Sequence, residues 1–194
     1  RTFVNVGSAN EVRGITGLSH ILEHMAFKGT EEVGTKDYKA EVKAMQAEDA
    51  AFAALKAERL KGVNADPIKL EELEAAFTAA KDAARELVET NEFGQIVENN
   101  GGQGLNAYTN SDVTVYLYNF PSNRLELWAY LEGSRMANPV LREFYTEKDG
   151  PVTEERRMRT DNNPIGRMIE QFQNLMFMAN GYHHSTIGYM SDIN

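Results

Sequence analysis

Three side chains in one short run can do chemistry together: His20, Glu23 and His24, in the order His-x-x-Glu-His. Residues at i and i+4 stand one above the other on a helix. Two imidazoles so placed can grip one metal ion. A glutamate one residue before the second histidine lies on nearly the same face, within reach of a water on that ion. Catalytic zinc takes about three protein ligands and keeps a position open, so a further ligand has to come from elsewhere. The bland alternative is a surface helix with solvated histidines. Ile21, Leu22, Met25 and Phe27 argue against it, because they make the helix strongly apolar around the polar triplet. Polar groups set into a buried helix need a partner, and a metal is one.

The order of these residues is the inverted form of the zinc-peptidase signature. The run Gly17 to Thr30 resembles the active-site helix of the pitrilysin/insulinase family of zinc metallopeptidases, which includes the mitochondrial processing peptidases. Val6-Gly7-Ser8 resembles the strand that precedes that helix. Gly104 to Thr109, followed by Asp112 to Tyr116, and the run Glu154 to Met158 are also similar to the family's motifs. The likeness is to a bacterial, processing-peptidase-like member. It covers almost the whole chain, with one long interruption.

The resemblance implies an α+β fold, with a mixed, mostly antiparallel sheet and helices packed on one face. It implies a zinc endopeptidase acting on extended or unfolded polypeptides, with one zinc per chain and its bound water activated by Glu23. The family register selects Glu155 as the third ligand, with Glu154 as runner-up. Adjacent helical residues point about 100° apart, so only one can fit. Glu147 resembles an outer carboxylate behind a ligand histidine, but its offset to Glu155 is one residue longer than the family's. Gly150-Pro151 falls where the family has an uninterrupted helix, so a kink or a restart at Pro151 is expected. Asn106, Ala107 and Tyr108 resemble the edge strand that pairs with substrate backbone. His183 and His184, adjacent in a loop, are expected to be solvated. Two other classes compete. A non-catalytic assembly subunit usually loses the motif, which is intact here. A structural zinc protein normally closes its site with four ligands, and only three can be named.

Composition narrows the partners. The chain has 194 residues, 42% apolar, with 20 basic and 29 acidic side chains and a net charge of −9. That balance argues against nucleic acid. No apolar run approaches a membrane span. The chain has no cysteine, so disulfide and thiol chemistry are excluded. It starts at Arg1 and ends at Asn194 with no terminal character. It is therefore expected to be the N-terminal portion of one metallopeptidase domain in a longer protein. A downstream domain or partner subunit would complete it. Targeting signals can then be missing, and a periplasmic or secreted location is favoured over a cytoplasmic one.

The remaining elements must position the triplet. Thr2 to Val6 reads as a strand and Gly14 to Lys28 as the ligand helix, stopped by Gly29. Residues 37–90 are rich in alanine, glutamate and lysine and read as an inserted antiparallel helical hairpin. Its second helix carries an a/d seam of Leu70, Leu73, Phe77, Ala80, Ala84 and Leu87. The first has a looser stripe of Tyr38, Val42, Met45, Phe52 and Leu55. Asp66 and Pro67 suit an N-cap and first helical position. The arm is expected to fold on itself and project away from the site. A short helix follows, from Asn91 to Asn100. Leu105 to Thr109 and Val113 to Asn119 read as two strands. Helices are expected over Asn123 to Met136, Leu141 to about Thr160 and Ile165 to Met178, with a loop-like tail from Gly181.

Overall fold

A computed structural model describes residues 1–193. β1 (Thr2–Val4), β2 (Gln103–Thr109) and β3 (Thr114–Asn119) form one sheet in the order β1-β3-β2, antiparallel throughout. β2 is thus an edge strand. Helices α1 (Leu18–Met25), α4 (Glu92–Asn99) and α5 (Leu125–Ala137) pack against the sheet. Phe93 and Val97 of α4, Tyr118 of β3, Leu131 of α5 and Val33 make the main buried cluster, with Phe27 and Trp128 against it. The fold is α+β, as the resemblance implies, with a sheet more uniform than the mixed one expected. Among the described residues no helix is long and apolar enough to cross a membrane.

Arg135 lies within this core, 1% exposed. Its guanidinium sits 4.6 Å from the Tyr116 ring centre and 4.9 Å from that of Phe93, and it pairs with Glu132 at 2.5 Å. The quadrupoles of the rings attract the cation, and the carboxylate neutralises it. Glu132 also accepts from Thr2 Oγ1 at 2.5 Å, which ties β1 to α5.

α1 is held at both ends. The Glu11 carboxylate accepts from Gly17 N at 2.8 Å and Ser19 N at 2.6 Å, satisfying amides that a helix N-terminus leaves unpaired. Gly17 has φ 91°, and a Cβ there would meet the Ile187 carbonyl at 2.6 Å, so only glycine suits this entry. On one face Ile21 and Met25 pack on Val152 and Ile193. The histidines face another way. Both periodicities have the same step of four residues.

The hairpin consists of α2 (Tyr38–Arg59) and α3 (Pro67–Arg85). Asp66 caps α3 through the amides of Ile68 and Lys69, with Pro67 in the first turn. The α3 seam faces inward, with Phe77 and Ala84 buried. The α2 stripe is loose for a reason the structure makes plain: Glu41, Glu48 and Glu58 occupy buried positions between its apolar residues. Glu41 pairs with buried Arg142 at 2.7 Å. Glu58 pairs with Lys61 at 2.7 Å and Lys69 at 3.3 Å. Glu48, 4% exposed, has its carboxyl pushed up to about 7, mainly by burial and then by Asp49, against the pull of Lys81. A carboxyl with a raised folded pKa contributes stability below its unfolded pKa and loses it as pH climbs towards the folded value. Glu48→Gln is therefore expected to raise the thermal midpoint at pH 8 by a few degrees, at ~2–4 °C per kcal/mol for a chain this size. At pH 4 it should change little. Equal gains at both pH values would contradict the assignment.

The arm does not project freely, contrary to the expectation from its seam. Its proximal half packs on the helix that starts at Phe144. Phe52 and Phe77 lie 4.5 and 5.3 Å from the Tyr145 ring, and Asp49 accepts from Tyr145 Oη at 2.8 Å. Arg142, held by Glu41, also donates to the carbonyls of Thr30 and Val33 at 2.6 and 2.8 Å, fixing the loop that follows α1. Removing one partner of a buried ion pair costs about 3–5 kcal/mol. Excision of 37–90 is thus expected to lower the thermal midpoint by roughly 10 °C or more. Trimming only the exposed tip between Leu55 and Leu73 should cost far less. Equal melting of the two deletions would show that the Tyr145 and Arg142 contacts carry little.

From Phe144 the chain runs as one helix with two wide turns: α6 (Phe144–Glu147), a π-helical stretch Lys148–Val152, α7 (Thr153–Arg156) and a second π-helical stretch Arg157–Asp161. The helix continues through Pro151 and does not restart there. Proline lacks the N–H that would bond the Glu147 carbonyl, and a π turn lets the next amide reach that carbonyl instead. α8 (Pro164–Met176), capped by Asn163, leaves Ile165, Met168, Phe172 and Leu175 exposed. The tail is more ordered than expected, with a short turn at Gly181–His183 and α9 at Met190–Ile193. Asp192 accepts from Thr16 Oγ1 at 2.7 Å and so fastens the tail to the start of α1.

Candidate metal centre

α1 and the Phe144–Asp161 helix bring three ligand-type side chains together. His20, His24 and Glu155 offer atoms that all lie within 4.8 Å of one another, and theirs is the only such group among the described residues. Glu155 Oε2 stands 3.5 Å from His20 Nε2 and 3.7 Å from His24 Nε2. Ligand atoms about 2.0–2.2 Å from a tetrahedral zinc stand roughly 3.4 Å apart, so the donor set fits that ion. Glu154 is turned away, exposed and paired with Arg157. Glu155 is the one of the two adjacent glutamates that the helix presents to the histidines.

For His20 and Glu155 the environment favours the protonation states that metal binding needs; for His24 it favours the proton that a metal would displace. Burial holds the His20 imidazole down at about 4, against the pull of Glu155, so it is a neutral donor at physiological pH. Glu155 is held below the usual carboxylate range, chiefly by the hydrogen bond with His24. His24 is raised to about 9, first by its bond to Glu147 and then by that to Glu155. In charge terms, the proton that His24 attracts takes the place a cation would take between these carboxylates.

Behind His24, Glu147 Oε1 meets Nδ1 at 2.9 Å. The bond holds Glu147 down at about 2 and turns Nε2 towards Glu155, as an outer carboxylate does for a ligand histidine. Lys28 braces Glu147 at 2.7 Å and Glu143 at 3.0 Å. The odd offset from Glu147 to Glu155 now has a cause. In an α-helix, eight residues turn about 800°, leaving the two side chains on different faces. A π turn carries one extra residue, so these eight cover nearly the angle of seven, and both carboxylates face α1.

Glu23 is 8% exposed and outside the three-ligand cluster. Burial raises its carboxyl above the usual range, while a bond from Thr109 Oγ1 at 2.6 Å opposes that rise. Asn106 and Ala107, on the free edge of β2, join Glu23, His24 and Phe27 in lining a cleft of about 460 Å³. Tyr108 is half exposed on the same strand.

Some neighbours were not singled out from the sequence. Lys28 continues the step of four from His20 and His24, and Arg159 follows Glu155 by four, bonding it at 2.8 Å. Both spacings are legible signals. Thr109 carries no such signal, because its partner is 86 residues away. His184 corrects the expectation of solvated histidines: it is 2% exposed, near Glu11 at 3.8 Å. His183 is half-buried. Neither joins the metal cluster.

The α+β fold thus brings two histidines on one helix and a carboxylate on another close enough to hold one metal ion. The family model described as Insulinase (Peptidase family M16) matches residues 1–59. The zinc protease PqqE of Helicobacter pylori is 30% identical over 190 residues, which is 97% of this chain and 30% of that protein. A crystal structure of a protease from Helicobacter pylori superposes with a TM-score of 0.64 at 30% identity, over 98% of this chain and 33% of that one. These matches support placing this chain in the insulinase family, peptidase family M16. It spans about a third of the length of the relatives it matches.

Proposed function

We propose that this chain supplies the metal centre of a zinc-dependent endopeptidase that hydrolyses extended or unfolded polypeptides. The observation that carries the reading is the convergence of His20, His24 and Glu155 beside a buried, non-ligand Glu23 at the free edge of a β-strand. His20, His24 and Glu155 would hold one zinc ion. When bound, zinc lowers the pKa of a water and polarises a carbonyl. Glu23 accepts a proton from the attacking water and later delivers it to the leaving amine. Glu147 orients His24 through Nδ1. The edge of β2 at Asn106, Ala107 and Tyr108 pairs with the peptide backbone as an added strand. Recognition through backbone groups reads extended conformation more than sequence.

The relatives' names support this direction, since they are called proteases and one a zinc protease. The chain spans only part of such a protein, so a downstream domain or partner subunit would close over the substrate. Orientation and exclusion of solvent supply roughly 7–11 kcal/mol of a barrier, so the 194 residues alone would cleave slowly. The test uses the full-length gene product that contains this chain and a quenched, unstructured peptide. Cleavage should vanish on chelation and return with about one equivalent of zinc. Cleavage that survives complete metal removal would overturn the reading.

A further inference from the structure

We propose that Thr109 is a positioning residue that fixes the Glu23 carboxylate relative to the substrate-binding edge of β2, an inference that rests on the peptidase reading above. The last residue of β2 donates from Thr109 Oγ1 to Glu23 Oε2 at 2.6 Å. Its hydroxyl also meets Thr114 Oγ1 at 3.2 Å, and Thr114 Oγ1 donates to the Val6 carbonyl at 3.0 Å. A carboxylate is an acceptor only. The Thr109 proton is therefore committed to Glu23, and Thr114, whose own proton goes to the Val6 carbonyl, packs its oxygen behind that of Thr109. This chain of three contacts runs from the residues after β1, across β3 and β2, to α1.

Two consequences follow from that placement. First, one oxygen of Glu23 is tied to the strand, which leaves the other free to take a proton from water. Second, the tie joins the general base to the same strand whose residues Asn106 to Tyr108 would hold the peptide. Base and scissile bond are then registered to one backbone segment instead of to two independently moving elements. Misplacement of a reacting group by about 1 Å can cost on the order of 100-fold in rate, so a bond of this kind belongs to turnover more than to substrate binding. A threonine that only served sheet formation would point its hydroxyl at backbone or solvent. This one points at the base.

The variants Thr109→Val and Thr109→Ser separate hydroxyl from shape. Val keeps the branched outline and loses the donor; Ser keeps the donor. In the full-length protein, Thr109→Val is expected to lower kcat about 10- to 100-fold, with KM within about 2-fold and one zinc still bound per chain. Thr109→Ser should stay within about 3-fold of wild-type kcat. If the Val variant fails to fold, Thr109→Ala carries the same expectation. A crystal structure of the Val or Ala variant should show the Glu23 carboxylate displaced from its place beside β2. Wild-type kcat in the Val variant, a Ser variant as slow as Val, or an unmoved Glu23 would each overturn the proposal. Failure of the underlying reading looks different: Glu23→Gln would then hydrolyse peptide at the wild-type rate, while the crystal structure would still report on the Thr109–Glu23 contact.

Discussion

Substituting Glu23 with glutamine is expected to reduce peptide hydrolysis by several powers of ten while one zinc per chain remains bound. The substitution keeps the size of the side chain and retains an oxygen that can accept the Thr109 hydrogen bond. What it removes is the ability to accept a proton from water. A positioned general base is worth about 10²–10⁴ in rate. Burial raises the Glu23 carboxyl above its ordinary range, which moves its proton affinity towards that of a working base. Metal retention follows from the geometry, because Glu23 is not among the three side chains that converge. Steady-state rates on a quenched peptide, together with metal content of the same preparation, check both halves. An active Glu23→Gln enzyme would remove Glu23 from the mechanism. An inactive one without zinc would make Glu23 a ligand instead.

The ligand helix was legible because its chemistry is local. His20, Glu23 and His24 need only one helical turn to meet, and the apolar residues between them say which way the helix is buried. Which glutamate would serve as the third ligand is not legible from residues alone. Glu154 and Glu155 are equivalent as types, and the choice depends on the phase of a helix whose length is altered by a wide turn at Pro151. The family register pointed to Glu155, and the π-helical stretch supplies the physical reason that Glu147 and Glu155 can face α1 together.

The hairpin shows the same division. The α3 seam is apolar and periodic, so it could be read directly. The α2 face is obscured by Glu41 and Glu58, whose partners are brought up by folding, and by Glu48, whose carboxyl burial pushes up to about 7. Period analysis treats such residues as solvent-facing. It also led to the expectation of a free arm, because aromatic contacts to Tyr145 are distant in sequence. For lack of apolar rhythm the tail reads as loop from its sequence. Its order comes from Asp192 and Thr16, a contact between opposite ends of the chain. Thr109 was invisible for that reason too. A side chain that acts on a residue far away in sequence leaves no local pattern.

The claim at the centre of this account is that His20, His24 and Glu155 hold one metal ion, and metal content tests it most directly. Glu155 contributes the oxygen that both imidazoles face, at 3.5 and 3.7 Å. Its neighbour Glu154 points to solvent and pairs with Arg157. Loss of an outer partner typically costs about 10–100-fold in metal affinity, and loss of a ligand should cost more. Zinc should be quantified by elemental analysis after dialysis against a weak chelator, for wild type, His20→Ala, Glu155→Ala and Glu154→Ala. The account predicts close to one zinc per chain in wild type and in Glu154→Ala, and almost none in His20→Ala and Glu155→Ala. Zinc lost from Glu154→Ala but retained by Glu155→Ala would contradict the assignment of the third ligand, and zinc retained by all four would contradict the site itself.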